Sequence, residues 1–494
     1  MFSLYVNFYN WALLFNIFFT SIVNSLFLSL IFFALVLYTF SNTKWIQSIF
    51  NVFKVIFLVF LIIFGFILFF KIYFILYYDF VVTYASQKIV VSNASKTKLI
   101  SVYSHLTILG DILTLLCTIV SIICWVVLGE RYLLKTNLNL VYFTTFLLFT
   151  FNMVQTQNIF IMVLFFELIF LPSLYFVYVS GYAKRVDESV KYLLLWTFFG
   201  SLLVLCGLLY LYTTYKTGNI YKLMQLSFSD TEVLLLFITF TLGFGVKLPL
   251  WPFHYWLTKV HVEAPAGFSI FLSGFLVKTA LYCLHIFYIL FVTKVTQQLL
   301  LGLVLFGVVD ASCRMWAVVD IKRLIAFATI QEMNLIFLFL ISTPNLSLSL
   351  VNLFILVHGL LSAVLFFLID QLQKRFQTRN IFSIGALATR LVILPVFVWL
   401  AILIFRGFPI FIKFFIEWEM LMLLNETYFI IGFFYFLFFT VFAVLGFSRI
   451  FLIALYGHPK LKTIFWVDML KKDLIILTIL VFILFILLFC VLYF

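Results

Sequence analysis

Apolar stretches of about twenty residues or more recur along the chain, separated by short loops that hold most of the charges. They lack the every-second-residue alternation over about ten residues that barrel strands show. Lipid offers the backbone no hydrogen bonds, so spans of this kind are expected to be helices. The pattern predicts fourteen spans: 9–40, 49–79, 108–129, 138–156, 158–180, 190–213, 232–257, 266–292, 297–317, 321–342, 347–372, 388–424, 427–456 and 473–494. No room remains for a soluble domain. The longest loop, 80–107, contains VVTYASQKIVVSNASKTKLIS, is rich in Ser, and is expected to project on one side.

Two spans are odd in the same way, with a charged residue beside interior helix breakers. The seventh reads GFGVKLPLWPFHYWL, with Lys247 just ahead of Pro249 and Pro252. The twelfth reads LAILIFRGFPIFIKFFIEWEMLML, with Gly407 and Pro409 in its middle. Proline removes a backbone donor and clashes with the preceding turn, so each helix should break there. Broken helices at matching places in two halves point to an inverted-repeat transporter fold. The expected fold class is an all-α polytopic membrane protein of about 14 transmembrane helices, with two inverted five-helix repeats and discontinuous helices 7 and 12. The repeats would be 138–292 and 297–456, since an odd number of helices per unit inverts the second copy. Residues 1–137 would supply helices 1–3, and 457–494 a C-terminal helix.

Composition agrees: 66% of residues are hydrophobic and 10% charged, against about 25% charged in soluble proteins. The net charge of +13 does not point to nucleic acid, because Lys and Arg cluster in inter-span loops. Loops after odd-numbered spans hold roughly sixteen of them, including Lys184, Arg185, Lys322, Arg323, Lys374, Arg375, Arg379, Lys460 and Lys462; the others hold roughly six. The positive-inside rule then puts both termini on the opposite side. No cleavable signal is expected at the N-terminus. Phe alone accounts for 69 residues, which suggests AT-rich coding of the kind found in organelle genomes. The six Cys form no CxxC and read as structural thiols.

Candidate chemistry lies in charges where lipid should exclude them. Glu167 sits deep in the fifth span, Lys247 beside the break in the seventh and Lys278 in the eighth. His358 sits in the eleventh, and Glu417 follows the break in the twelfth. Each costs about 2.5–3.5 kcal/mol on insertion scales unless it faces protein or water. A buried Lys holds its proton beside a carboxylate and releases it when that partner moves away. A His is the natural relay between such groups. Isolated charges of this kind can simply hold helices together; five in one chain exceed what cohesion needs. His254, His261 and Glu263, beside Lys259, read as a solvated half-helix end rather than a metal site.

The motifs fall in an order that resembles the subunit 4 family of mitochondrial NADH dehydrogenase, a proton-pumping family of respiratory complex I. They are MVLFFELIFLPSLYF, then GVKLPLWPFHYWLTKVHVEAPAGFSIFLSGFLVKTALY, DIKRLIAFATI and LVHGLLSAVLFFLID, with the likeness covering about 140–450. The resemblance implies that Glu167 and Lys247 form a coupling pair and that Lys278 links the halves. It also implies that His358 is the relay of the second half and Glu417 its terminal carboxylate. It implies no cofactor in this chain, flavin and iron–sulfur clusters in partner subunits, and contacts with other membrane-arm subunits and the bilayer. The setting would be the mitochondrial inner membrane, with both termini on the intermembrane-space side. Three departures stand out: Arg406 and Lys413 around the second break, Glu332 where the family commonly has His, and Glu419 two residues past Glu417. A related multi-subunit cation/proton antiporter would share the fold and the same Glu and Lys positions. A non-transporting scaffold would have no use for the buried charges.

Overall fold

The computed structural model describes residues 58–68, 109–124, 127, 137–181, 186–342, 348–458 and 468–492. The predicted span 9–40 and the loop 80–107 lie outside the described residues, as do Lys184, Arg185, Lys460 and Lys462. Among the described residues the regular structure is helical apart from two isolated β-bridges. The helices begin with α1 (Leu58–Leu68), α2 (Leu109–Cys124), α3 (Asn137–Gln155) and α4 (Ile159–Val179). Next come α5 (Val186–Tyr215), α6 (Asp230–Lys247), α7 (Tyr255–Glu263) and α8 (Ala266–Phe291). The second half holds α9 (Lys294–Ala317), α10 (Ile321–Ser342), α11 (Leu348–Phe376), α12 (Ile393–Phe405) and α13 (Ile412–Thr427). It closes with α14 (Phe429–Tyr456) and α15 (Lys471–Leu492). Seven helices among the described residues are long and apolar enough to cross a membrane, or eight if one pair bent by 116° counts as one span.

Two corners of the fold repeat each other in detail. At the first, Ile159 N–H donates to Gly218 O and Ile220 N–H to Gln157 O, while the Asn158 and Asn219 side chains cap the helices that follow. At the second, Ile321 N–H donates to Arg379 O and Ile381 N–H to Val319 O, with Asp320 and Asn380 as the caps. Each corner ties the start of the helix that carries Glu167 or Glu332, α4 or α10, to the loop after the next long helix. Backbone donors left over at a helix start must be met by protein or water, and both corners meet them in the same way.

Protein encloses some helices and leaves others open. The most apolar window is 94% buried in α8, 100% in α10 and 94% in α11, against 33% in α5 and 28% in α14. A helix apolar all round and wholly enclosed has no lipid face, so it can hold polar groups without exposing them to hydrocarbon. Lys278, Glu332 and His358 lie on these three enclosed helices.

Both expected breaks are present. α6 ends at Lys247 and the chain resumes as α7 at Tyr255; α12 ends at Phe405 and α13 starts at Ile412. The second break turns at Gly407, whose φ of +62° is costly for a residue with a Cβ. A Cβ there would also stand 2.7 Å from Glu417 Oε2. At the far end of α12, Asp468 accepts hydrogen bonds from the N–H groups of Val392 (3.0 Å), Ile393 (2.8 Å) and Leu394 (3.2 Å). Partial burial pushes the Asp468 carboxyl up, but the N–H groups of Ile393, Met469, Val392 and Leu394 together hold it below the ordinary aspartate range. The half-helix is thereby tied to the segment that leads into α15.

Two outcomes follow for detergent-extracted protein, read by thermal unfolding. Gly407→Ala should cost about 1–2 kcal/mol from backbone strain alone; unchanged stability would mean the break tolerates a side chain. Asp468→Asn should cost about 0.5–1 kcal/mol at neutral pH, by loss of a charged cap discounted for solvent. Because the folded-state carboxyl titrates below its unfolded value, its contribution is present above about pH 4 and fades as the pH falls through the folded value. The variant and the unaltered chain should therefore converge in acid.

Candidate functional site

The first cluster forms where α4 meets the end of α6. Lys247 Nζ donates to Glu167 Oε1 at 2.9 Å and lies 4.1 Å from the centre of the Phe166 ring. The break also frees carbonyls, and these are recovered. Trp256 Nε1 donates to Val246 O at 2.8 Å, and Asn334 Nδ2 reaches from α10 to Pro249 O at 3.3 Å. An unsatisfied polar group in an apolar setting costs several kcal/mol, so these two side chains make the break tenable. The Lys247 side chain is 7% exposed and that of Glu167 29%, so the pair spans from the interior to the protein surface.

The middle of the molecule holds Lys278. Its ammonium donates to Ser273 O at 2.8 Å, within the stretch Leu272–Leu276 where α8 widens to a π-helix. Such widening withdraws carbonyls from the regular ladder and is often found at functional sites. The same stretch meets α11 through small residues, for a Cβ on Gly359 would stand 3.1 Å from Gly274 O. The next residue along, His358, is buried, and its Nε2 lies 3.8 Å from Glu332 Oε2. That spacing is beyond a direct hydrogen bond. Lys278 is near enough to act electrostatically on both His358 and Glu332.

The second cluster surrounds the break between α12 and α13. Lys413 Nζ contacts Glu332 Oε1 at 2.6 Å, donates to Phe405 O at 3.0 Å and lies 3.4 Å from Glu417 Oε1. The Phe405 ring is 4.3 Å away. The lysine thus takes up the carbonyl that the break frees, the task Trp256 performs at the first break. Nearby on α10, Gln331 Nε2 donates to Ser312 Oγ at 2.8 Å.

Of the five charges singled out in the sequence, two fall in the first cluster and three lie in or beside the second and its buried neighbours. Glu167 and Lys247 touch; Lys278, His358 and Glu417 are bridged by groups outside the original five. The two that were missed are Glu332 and Lys413. They stood out only as departures, yet mid-span placement was the same signal that picked out the other five. Glu419 is exposed and points away from Glu417, as its two-residue offset requires. The reading of a solvated half-helix end needs correction: His254, His261 and Glu263 are buried. Helix α7 is covered by the second half, where the His261 ring stacks on Phe366 at 4.9 Å and His254 Nε2 meets Asp310 at 3.2 Å. Among the described residues no group of three or more His, Cys, Asp or Glu could hold a metal ion.

The chain resembles proteins of known families. The profile of the family "NADH:quinone oxidoreductase/Mrp antiporter, TM" matches residues 156–489. NADH-ubiquinone oxidoreductase chain 4 of Paramecium tetraurelia is 32% identical over 356 residues, 72% of this chain and 75% of that protein. NADH-quinone oxidoreductase subunit M of Rickettsia conorii is 28% identical over 312 residues, 61% of each chain. Among solved structures, a chain of respiratory complex I from Thermus thermophilus superposes with a TM-score of 0.66 at 22% identity, covering 77% of this chain and 80% of that one. A chain of the Mrp complex from a Dietzia species gives 0.65 at 17% identity, covering 73% and 68%. With its two broken helices, its enclosed charges and a matched stretch of well over half its length, the chain belongs to the NADH:quinone oxidoreductase/Mrp antiporter transmembrane family.

Proposed function

We propose that the chain is an antiporter-like, proton-translocating subunit of the membrane arm of a respiratory NADH:ubiquinone oxidoreductase in the mitochondrial inner membrane. The observation that carries this reading is the Glu167–Lys247 contact at 2.9 Å beside a broken helix. A structural pair of this kind stabilises little, because desolvation offsets most of the attraction. As a switch it has a clear use: parting the pair leaves a buried ammonium without its anion, and the ammonium then gives up a proton. The path would run from Lys247 through Lys278 and His358 towards Glu417. Movement driven by charge arriving from neighbouring subunits would part and rejoin the pair. NADH oxidation and quinone reduction, with flavin and iron–sulfur clusters, would belong to partner subunits. The two units 138–292 and 297–456 would act as two halves of one path, and the alike corners at Asn158–Asn219 and Asp320–Asn380 support that division. By the balance of loop charges, both termini would face the intermembrane space.

A second reading is a multi-subunit cation/proton antiporter, favoured by the likeness to the Mrp chain. Separation of mild-detergent extracts distinguishes the two. The respiratory reading expects this chain to travel with a large band that oxidises NADH; migration as a small species without that activity favours the antiporter.

Within the assembled complex, Lys247→Met and Glu167→Gln should each lower the protons moved per NADH oxidised, measured in sealed vesicles with a pH-sensitive dye. The chain should still be found in the complex. Full pumping by both variants would remove the pair from the path and the reading with it.

A further inference from the structure

The charged groups of the second half raise a matter of arithmetic. Glu332, Lys413 and Glu417 are all buried or nearly so, and they bring two carboxylates to one ammonium. Asp and Glu bear no charge only when they hold a proton. If both carboxylates were ionised, one would lack a cation in contact with it in a setting of low dielectric, because the Lys278 ammonium is held on Ser273 O. The cluster is neutral when one carboxylate pairs with Lys413 and the other holds a proton. The contacts at 2.6 Å and 3.4 Å put the ammonium on Glu332, which leaves the proton to Glu417.

The neighbours fit this division. Three elements around the cluster each offer a titratable group: Lys278 from α8, His358 from α11 and Tyr435 from α14. The Tyr435 hydroxyl and both His358 ring nitrogens are buried without a protein hydrogen-bond partner. So is Glu332 Oε2, the oxygen that faces His358 rather than Lys413. Glu332 therefore shows one oxygen to the cation and the other to the relay.

We propose that Lys413 is the switching cation of the second half, alternating between Glu332 and Glu417 so that one carboxylate is paired while the other holds the proton. In the first position Lys413 is on Glu332 and Glu417 is protonated. Moving the ammonium to Glu417 favours its carboxylate, so that proton leaves towards the far side. Glu332, now without its cation, takes a proton from the His358 imidazolium through Oε2. Return of Lys413 to Glu332 displaces that proton to Glu417, and the cluster regains its starting charge. One proton arrives from His358 for each proton that departs from Glu417, and no other reactant is consumed.

The geometry suits such a movement. Lys413 is the second residue of α13, next to a break, and Glu417 is one turn along the same helix. The two are on one face by the four-residue offset. Phe405 and Phe439 lie 4.3 Å and 5.7 Å from the ammonium and offer it ring faces beside the break. The outcome is that each half carries a Glu on an early helix and a Lys at a broken one: Glu167 with Lys247, and Glu332 with Lys413. The second pair has an additional carboxylate within reach, which the first lacks among the described residues.

This inference rests on the proton-translocating reading, and the test separates the two. Lys413→Met, Lys247→Met and the combination are placed in the assembled complex, and protons per NADH are measured in sealed vesicles. Lys413→Met should cause the same loss as Lys247→Met, and the combination no further loss, because the two lie in series. If Lys247→Met lowers the ratio and Lys413→Met does not, the switch is wrong while the reading stands; if neither does, the reading itself fails. Removing one partner of a buried pair can prevent folding, whereas replacing both often does not. Glu332→Gln combined with Lys413→Met therefore keeps the test open, and should assemble yet show the same loss. The exchanged pair Glu332→Lys with Lys413→Glu adds a readout that cohesion alone does not share. It restores an ion pair, so a merely structural role predicts full pumping; the switch predicts no recovery, because the cation is no longer one helical turn from Glu417.

Discussion

A charge in the middle of a bilayer has to find its counter-group within the protein, because hydrocarbon supplies neither water nor ions. Most of the molecule around the site is arranged by that requirement. Lys247 finds Glu167, Lys278 finds a carbonyl freed by a widened turn, and Lys413 finds a carboxylate and a freed carbonyl together. A broken helix is the other half of the same arrangement. It exposes carbonyls at mid-membrane, and these serve as partners for an ammonium or an indole. Breaks and lysines therefore occur together because each relieves the cost of the other.

Enclosure does the rest. Helices α8, α10 and α11 are almost wholly surrounded by protein, while α5 and α14 turn much of their surface outward. Charges on the enclosed helices meet other protein groups, and low dielectric strengthens each of their interactions. A modest displacement of one ammonium then changes a neighbour's hold on its proton by a large amount. The same displacement on the surface would be screened. In the proposed mechanism the pairs matter less for stability than for where a proton resides.

Much of this was legible in the chain. Span positions came from runs of apolar residues, and both breaks from Pro249, Pro252, Gly407 and Pro409. Glu167, Lys247, Lys278, His358 and Glu417 were visible as charges in the wrong solvent. What could not be read was which of them would touch. Glu332 and Lys413 are eighty-one residues apart, and only the packing of α10 against α13 brings them together. The burial of His261 was hidden for the same reason: polar composition at the end of α7 suggests solvent, but Phe366 from α11 closes over it. Composition reports the cost of a charge, while the partner that meets the cost belongs to the tertiary structure.

The central claim is that these buried charges change partners while the protein works. Infrared difference spectroscopy of the assembled complex, resting and oxidising NADH, tests it most directly, because a carboxyl group absorbs at different frequencies with and without its proton. With isotope-labelled Glu in this chain, the account predicts a protonated-carboxyl band that changes during turnover and disappears in Glu417→Gln. A carboxyl region that stays the same while protons are being moved would contradict it.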